Sequence, residues 1–465
     1  MPNCALPLSR REFGLALCGL PFSLSAADYK SMPWDEPANI AKVYLASPRV
    51  HWPKPTLDSA QDIKEVEARL AQVQRMHAAE VRFTGGDVIA NDEDARKWLA
   101  KTTDADGVLM IPITQPTPAL GLLTQSLDLP VLYFSRPYAS HTWGSIAGIR
   151  KGGKKIEVVA TSSYGDLDPY MRMFRTARHM RRSKVLVGVA TPNARQAQAA
   201  AYSKYYGTAF RFVSGPEFVD AFRAADEREA RKQADALVRG ALRVMEPTQQ
   251  EILAAVRFSI ALANMLKKEQ ANAVTIDCFG SLAANTLPGY PCVAWSKFND
   301  AGLYGVCEGD LASTMTQLLI TSYSGVPGFV SDPVFDLSRN EVIHAHCVSA
   351  TKMKGPNGPA APYILRNHLE TNEGAVMQVL MPSGETITVA RYTAPNRLLI
   401  STAEVTGAVE SDRGCRTQIR TRVSNAEKWL NNYSAGLHRV IFYGDHVQAV
   451  ERMGRLMGFE VAHEM

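Results

Sequence analysis

From residue 41 the chain alternates between two hydrophobic periods. Residues 42–45, 81–83, 108–113 and 130–134 are short apolar runs of the kind a parallel sheet buries on both faces. Between them, Ile63, Val66, Leu70 and Val73 recur at spacings of three and four within 59–80, and 93–102 is a second helical stretch. Ser59 with Asp62 three residues on reads as a cap for the first helix. The pattern predicts a βαβ series with helices on both faces of a parallel sheet. Residues 144–154, rich in Gly and Lys, read as a loop or boundary, and 168–182 as a helix. A second series follows, with strands at 184–190, 210–213, 273–278 and 292–296 and helices at 194–206, 217–244, 248–268 and 311–320. From 374 to 409 the period shortens to two, with turns at Pro382-Ser383-Gly384 and Pro395-Asn396, which predicts antiparallel sheet or a small barrel. A short helix at 424–432, a strand at 436–445, a last helix and a strand at 459–461 complete the chain. The expectation is two α/β lobes in tandem and a mainly-β third domain.

Composition narrows the function. With 46% apolar and 21% charged residues the chain is enzyme-like rather than disordered. The net charge of +5 has no Lys/Arg-dense stripe with interleaved aromatics, so nucleic acid is not an expected partner. The densest basic run, Arg178-His179-Met180-Arg181-Arg182, closes a helix, where positive charge complements the dipole. The seven cysteines include no C-x-x-C pair, against a disulfide framework or a zinc knuckle. No G-x-G-x-x-G follows the first strand, so no dinucleotide fingerprint is present. At the N-terminus, Ser9-Arg10-Arg11-Glu12-Phe13 precedes an apolar run to Leu24 and then Ser25-Ala26-Ala27. Residues 1–27 therefore resemble a twin-arginine signal, which predicts a periplasmic protein exported by the twin-arginine machinery, or a cytoplasmic one if the signal is not used. No other segment approaches ~18 uncharged apolar residues, so no membrane span is expected.

Candidate chemistry concentrates between Cys307 and Cys347. Glu308 and Asp310 flank Gly309; Asp332 precedes Pro333; His344 and His346 lie along 342–347. Of the two histidines, only one is expected to look into a site. His438 stands at the entry to a late strand. Carboxylates with imidazoles and no cysteine cage suit Mn²⁺, Mg²⁺, Co²⁺ or Fe²⁺ with open coordination positions. Each residue alone also has an ordinary reading, as a helix-end acid, an Asp-Pro turn or a packed histidine.

These residues, with 273–278, Pro291-Cys292-Val293-Ala294-Trp295-Ser296-Lys297-Phe298-Asn299-Asp300-Ala301-Gly302 and Val306-Cys307-Glu308-Gly309-Asp310, resemble the L-fucose isomerase and L-arabinose isomerase superfamily, in particular its L-fucose isomerase-related branch. The resemblance implies two Rossmann-like α/β domains (40–180 and 181–345) and a C-terminal β-rich, barrel-like domain (346–465). It implies that Glu308 and Asp332 are acidic metal ligands that also move protons, and that His438 and His346 complete the metal set. The implied cofactor is a divalent metal, most often Mn²⁺, and the implied reaction is aldose–ketose isomerisation of a free sugar through a cis-enediol. Trimers or hexamers are the implied assemblies. Trp295, Asn299 and Tyr304 are candidates to line the sugar site, with packing beside the sheet as the other reading. The export signal departs from the cytoplasmic sugar isomerases. It keeps open an exported sugar-binding protein with a relic site, or an epimerase or lyase of the same enediolate type.

Overall fold

A computed structural model describes residues 32, 34–189, 193–283 and 286–465. The signal segment 1–27 lies outside them. The fold is mixed α/β, with two parallel sheets followed by a mainly-β region.

The first sheet holds β1 (Ala38–Leu45), β2 (Val81–Ile89), β3 (Gly107–Pro112), β4 (Val131–Ser135) and β5 (Ile156–Ala160), all parallel, in the order β2-β1-β3-β4-β5. β3 and β4 are buried along their whole length, as their unbroken apolar runs require. The helix Ser59–Met76 turns Val66, Leu70 and Val73 inward; Asp58, not Ser59, caps it by accepting from the amides of Ala60 and Gln61. Residues 144–154, expected as loop or boundary, carry the short helix Ile146–Lys151 before β5, a half-buried edge strand whose alternation is too brief to read.

The second sheet holds β6 (Lys184–Gly188), β7 (Ala209–Val213), β8 (Ala273–Ile276) and β9 (Tyr304–Cys307), again parallel, in the order β7-β6-β8-β9. Its strand order repeats that of the first four strands of the other sheet. The stretch 217–244 is two helices, Gly215–Ala224 and Glu227–Gly240, the second capped by Asp226. Residues 292–296, expected as a strand, form part of the helix Cys292–Asp300. Every side chain from Cys292 to Asn299 is buried, and the short apolar run Cys292-Val293-Ala294-Trp295 that opens it carries no periodicity to separate buried helix from buried strand.

The remaining strands are β10 (Phe329–Asp336), β11 (Glu341–His346), β12 (Tyr363–His368), β13 (Glu373–Val379), β14 (Thr386–Ala394), β15 (Arg397–Ala408), β16 (Thr417–Arg422), β17 (Arg439–Tyr443) and β18 (Glu460–His463). Seven of them form a mixed sheet in the order β14-β17-β10-β11-β16-β15-β18, while β12 and β13 pair separately. β10 and β11 thus pair with C-terminal strands rather than with the second parallel sheet, although 329–345 was expected to belong to the second α/β unit. Their partners, β16 and β17, lie more than seventy residues downstream and leave no local trace in residues 329–346.

Candidate metal centre

The centre is built where the second parallel sheet ends. β9 stops at Cys307, and the helix Leu311–Ser324 begins after Asp310. The three residues between turn the chain back on itself: Glu308 has φ +63° and Gly309 φ +61°. A Cβ on Gly309 would come within 3.1 Å of Val189 and 3.4 Å of the Asp277 amide, so the turn is pressed against the ends of the neighbouring strands. Left-handed backbone costs a non-glycine residue roughly 1–2 kcal/mol. Such strain at Glu308 marks a side chain held where the local backbone would not put it.

The mixed sheet brings the other residues to this carboxylate. Asp332 lies in β10, His346 ends β11 and His438 precedes β17. His346 Nε2 is 3.4 Å from Glu308 Oε1, and His438 Nε2 is 3.3 Å from Glu308 Oε2 and 3.5 Å from Asp332 Oδ1. The imidazole side chains are only 4% and 7% exposed, while Glu308 and Asp332 keep 27% and 30%, so the carboxylates are the groups that meet a solute. Glu308, Asp332, His346 and His438, which the resemblance to the isomerase superfamily implied as one set, are adjacent.

The arrangement fits a divalent cation on two observations. Asp332, His346 and His438 each offer a ligand atom within 4.8 Å of the others, and Asp332 Oδ1, His346 Nε2 and His438 Nε2 are buried with no hydrogen-bond partner. Native interiors rarely leave three such atoms facing each other unsatisfied. Ligands at about 2.0–2.2 Å from a common ion would be about 3–3.6 Å apart, and the His346–Glu308, His438–Glu308 and His438–Asp332 contacts, at 3.4, 3.3 and 3.5 Å, fall in that range. The charges agree as well. Glu308, Asp310 and Asp332 are opposed by one guanidinium in contact, that of Arg391, which leaves two negative charges when both imidazoles are neutral.

Asp310 has a second role that its helix-start position did not suggest. It caps the helix through Ala312 N (2.9 Å) and Ser313 N (3.1 Å), and its other oxygen is 2.8 Å from His438 Nδ1 and 2.6 Å from Arg391 Nη1. A carboxylate on Nδ1 fixes the proton there and leaves Nε2 free to ligate. Burial opposes ionisation of both acids, but His346 and His438 outweigh it at Glu308, and His438 and Arg391 at Asp310, holding both well below the ordinary carboxylate range. His438 is pushed up to about 10: burial would lower it, and the facing Asp310 and Glu308 carboxylates prevail. A protonated ring here supplies the positive charge that a cation would otherwise bring.

His346 is held differently. The Cys347 amide donates to its Nδ1 at 2.9 Å, so the neutral ring carries its proton on Nε2. Ligation through Nε2 moves that proton to Nδ1 and releases the amide contact, a loss of about 1 kcal/mol. That is small against the binding energy of a cation held by several charged ligands. His344 stays out of the site. Two positions apart on a strand, the histidines share a face, but His344 lies deeper, fully buried against Trp429 and 3.2 Å from both Ser331 Oγ and Thr421 Oγ1. Burial pushes it down to about 3, which keeps it neutral.

The three expected sugar contacts are corrected. Trp295 is 0% exposed in the main core, where its ring and backbone fill the space a side chain at Gly305 would need. Asn299 exchanges both amide hydrogen bonds with the Gly305 backbone, at 3.1 and 3.0 Å. Tyr304 is buried in β9 with its hydroxyl 2.9 Å from His179 Nε2. The helix formed by 292–300 turns Trp295 and Asn299 into the core beneath the sheet, and Tyr304 points inward from β9. Two other groups near Glu308 come from elsewhere in the chain. Arg195 Nη2 reaches the Glu308 carbonyl at 3.5 Å. Glu370 is pushed upward by burial and by the charge of Glu308. Neither stands out in the local sequence.

Compared with known proteins, the chain matches no protein-family profile and no curated protein sequence. Among the described residues no helix is long and apolar enough to cross a membrane.

Proposed function

We propose that this protein is a metal-dependent aldose–ketose isomerase acting on a free sugar through a cis-enediol. The observation that carries the reading is the convergence of Asp332 Oδ1, His346 Nε2 and His438 Nε2, all unpartnered, beside the ionised Glu308. Glu308, Asp332, His438 and His346 would hold the metal, and their oxygen and nitrogen donors suit Mn²⁺. When bound, such a cation supplies Lewis acidity that acidifies the sugar C–H next to the carbonyl. Glu308 and Asp332 then divide the proton work. One takes the proton from C2 and returns it to C1, and the other relays the hydroxyl proton. Asp310 holds His438 in the ligating tautomer, and the buried imidazoles keep water from the inner side. The repeated strand order of the two parallel sheets supports reading them as two Rossmann-like domains, with ligand chemistry at the carboxyl end of a strand. The same reading includes twin-arginine export to the periplasm and a homo-oligomer, trimer or hexamer. Elemental analysis of the purified protein should find about one divalent metal per chain, and Glu308→Gln should lose turnover. Full turnover in Glu308→Gln, or a protein neither containing nor activated by metal, refutes the assignment.

A further inference from the structure

Sulfur also gathers at this centre, and isomerisation uses none of it. Cys307 immediately precedes Glu308 at the end of β9, and Cys278 lies just beyond the end of the neighbouring β8. Both thiols are free and buried, with their sulfurs 3.2 Å apart. Cys307 Sγ, a Glu308 oxygen and a His346 ring nitrogen lie within 4.8 Å of one another. His346 is 3% exposed and its Nε2 has no hydrogen-bond partner, which makes it an orphaned donor facing this group as well as Asp332 and His438. One sulfur, one oxygen and one nitrogen form a set that zinc and cadmium accept and that manganese and magnesium do not favour.

We propose that Cys307, Glu308 and His346 form a binding position for a thiophilic divalent cation of the zinc class, overlapping the position of Asp332, His346 and His438, so that thiophilic and oxygen-favouring cations exclude one another. Both positions need His346; its Nδ1 already accepts from the Cys347 amide, so Nε2 is the nitrogen open to either ion, and it serves one ion at a time. Ligation is by the thiolate, so loading releases the Cys307 proton to solvent and involves no change of oxidation state. Cys278 touches Cys307 but is not within reach of the other two donors, and it is not part of the set. The inference rests on the geometry of the cluster and holds whether or not the protein turns over a sugar.

The test uses the full chain freed of metal and titrated with Cd²⁺. A thiolate-to-cadmium charge-transfer absorption should rise and saturate at about one equivalent, and Mn²⁺ bound beforehand should be released, seen as the return of the free-ion electron paramagnetic resonance signal. Cys307→Ser should abolish the absorption and weaken Cd²⁺ binding by at least about tenfold, the effect expected even for losing an outer-sphere partner. Cys278→Ser should keep the absorption. Should Cys307→Ser fail to fold, the ¹¹³Cd shift of the unaltered protein decides, since one sulfur ligand moves it far from the oxygen-and-nitrogen range. An absorption that is absent, that survives Cys307→Ser, or that coexists with bound Mn²⁺ overturns the proposal. Mn²⁺-dependent turnover without a cadmium–sulfur signal would overturn it while leaving the isomerase reading intact.

Discussion

Asp310→Asn alters the carboxylate that orients His438 while keeping a helix cap. Asparagine caps a helix about as well as aspartate, so the amides of Ala312 and Ser313 keep an acceptor. What disappears is the charge facing His438 Nδ1 at 2.8 Å and Arg391 Nη1 at 2.6 Å. Leaving one partner of a buried ion pair alone costs about 3–5 kcal/mol. Arg391 keeps the Ala435 carbonyl at 2.9 Å and Ser313 Oγ at 3.0 Å, so a value near 3 kcal/mol is expected from urea unfolding. Metal affinity should fall separately. An orienting partner on the far side of a ligating imidazole is worth roughly 10–100-fold in affinity. Mn²⁺ titration by calorimetry, at a temperature where circular dichroism shows the variant folded, should therefore lose about 1.4–2.7 kcal/mol. Ser313→Ala is the control. It removes a contact of the same carboxylate but spares the imidazole, and should leave the Mn²⁺ dissociation constant unchanged. Unaltered Mn²⁺ affinity in Asp310→Asn would refute the claim that this carboxylate sets the His438 tautomer.

Three further outcomes follow from the same structure. Trp295→Ala should destabilise by about 3–5 kcal/mol in urea unfolding; a change in substrate KM at full stability would restore its reading as a sugar contact. Glu464→Ala leaves the fully buried Arg439 without its carboxylate, keeping the Ser434, Gly436 and His438 carbonyls and the Tyr433 ring, and should cost about 2–4 kcal/mol and loosen the neighbouring His438. His179 is pushed down to about 3 by burial and then by Arg175, so the unfolded chain takes up a proton below about 6.5 that the folded one refuses. Stability should fall as pH drops from 6.5 towards 3, by about 2 kcal/mol from this group at pH 5. His179→Gln should flatten that slope whatever it does to stability at pH 8, and an unchanged slope would contradict the assignment.

How much of this was legible in the sequence depended on distance along the chain. The βαβ alternation and the buried strands β3, β4, β6 and β8 follow from local hydrophobic runs and were readable. The helix Cys292–Asp300 was not, because burial on all sides erases the period that identifies a helix. That error also carried Trp295 and Asn299 towards the site instead of into the core. The candidate set Glu308, Asp332, His346 and His438 was implied by the resemblance to the isomerase superfamily, and the fold brings these residues together. Asp310 was visible as a helix cap, but its grip on His438 joins residues 128 positions apart. Arg391, from the middle of β14, is equally remote, and nothing in its neighbourhood marks it. Pairing of β10 and β11 with β17 and β16 has the same origin: sheet register is settled by partners that the local pattern does not name.

The central claim is that this centre moves a proton between adjacent carbons of a sugar. Proton NMR of a mixed panel of free aldoses in D₂O, with the metal-free protein before and after added Mn²⁺, reads it directly. The account predicts that with Mn²⁺ at least one aldose converts to its ketose, with solvent deuterium appearing at the exchanged carbon, and that Glu308→Gln abolishes both signals. A Mn²⁺-loaded wild-type protein that leaves every aldose unconverted and unexchanged, or conversion that proceeds equally well without metal, would contradict it.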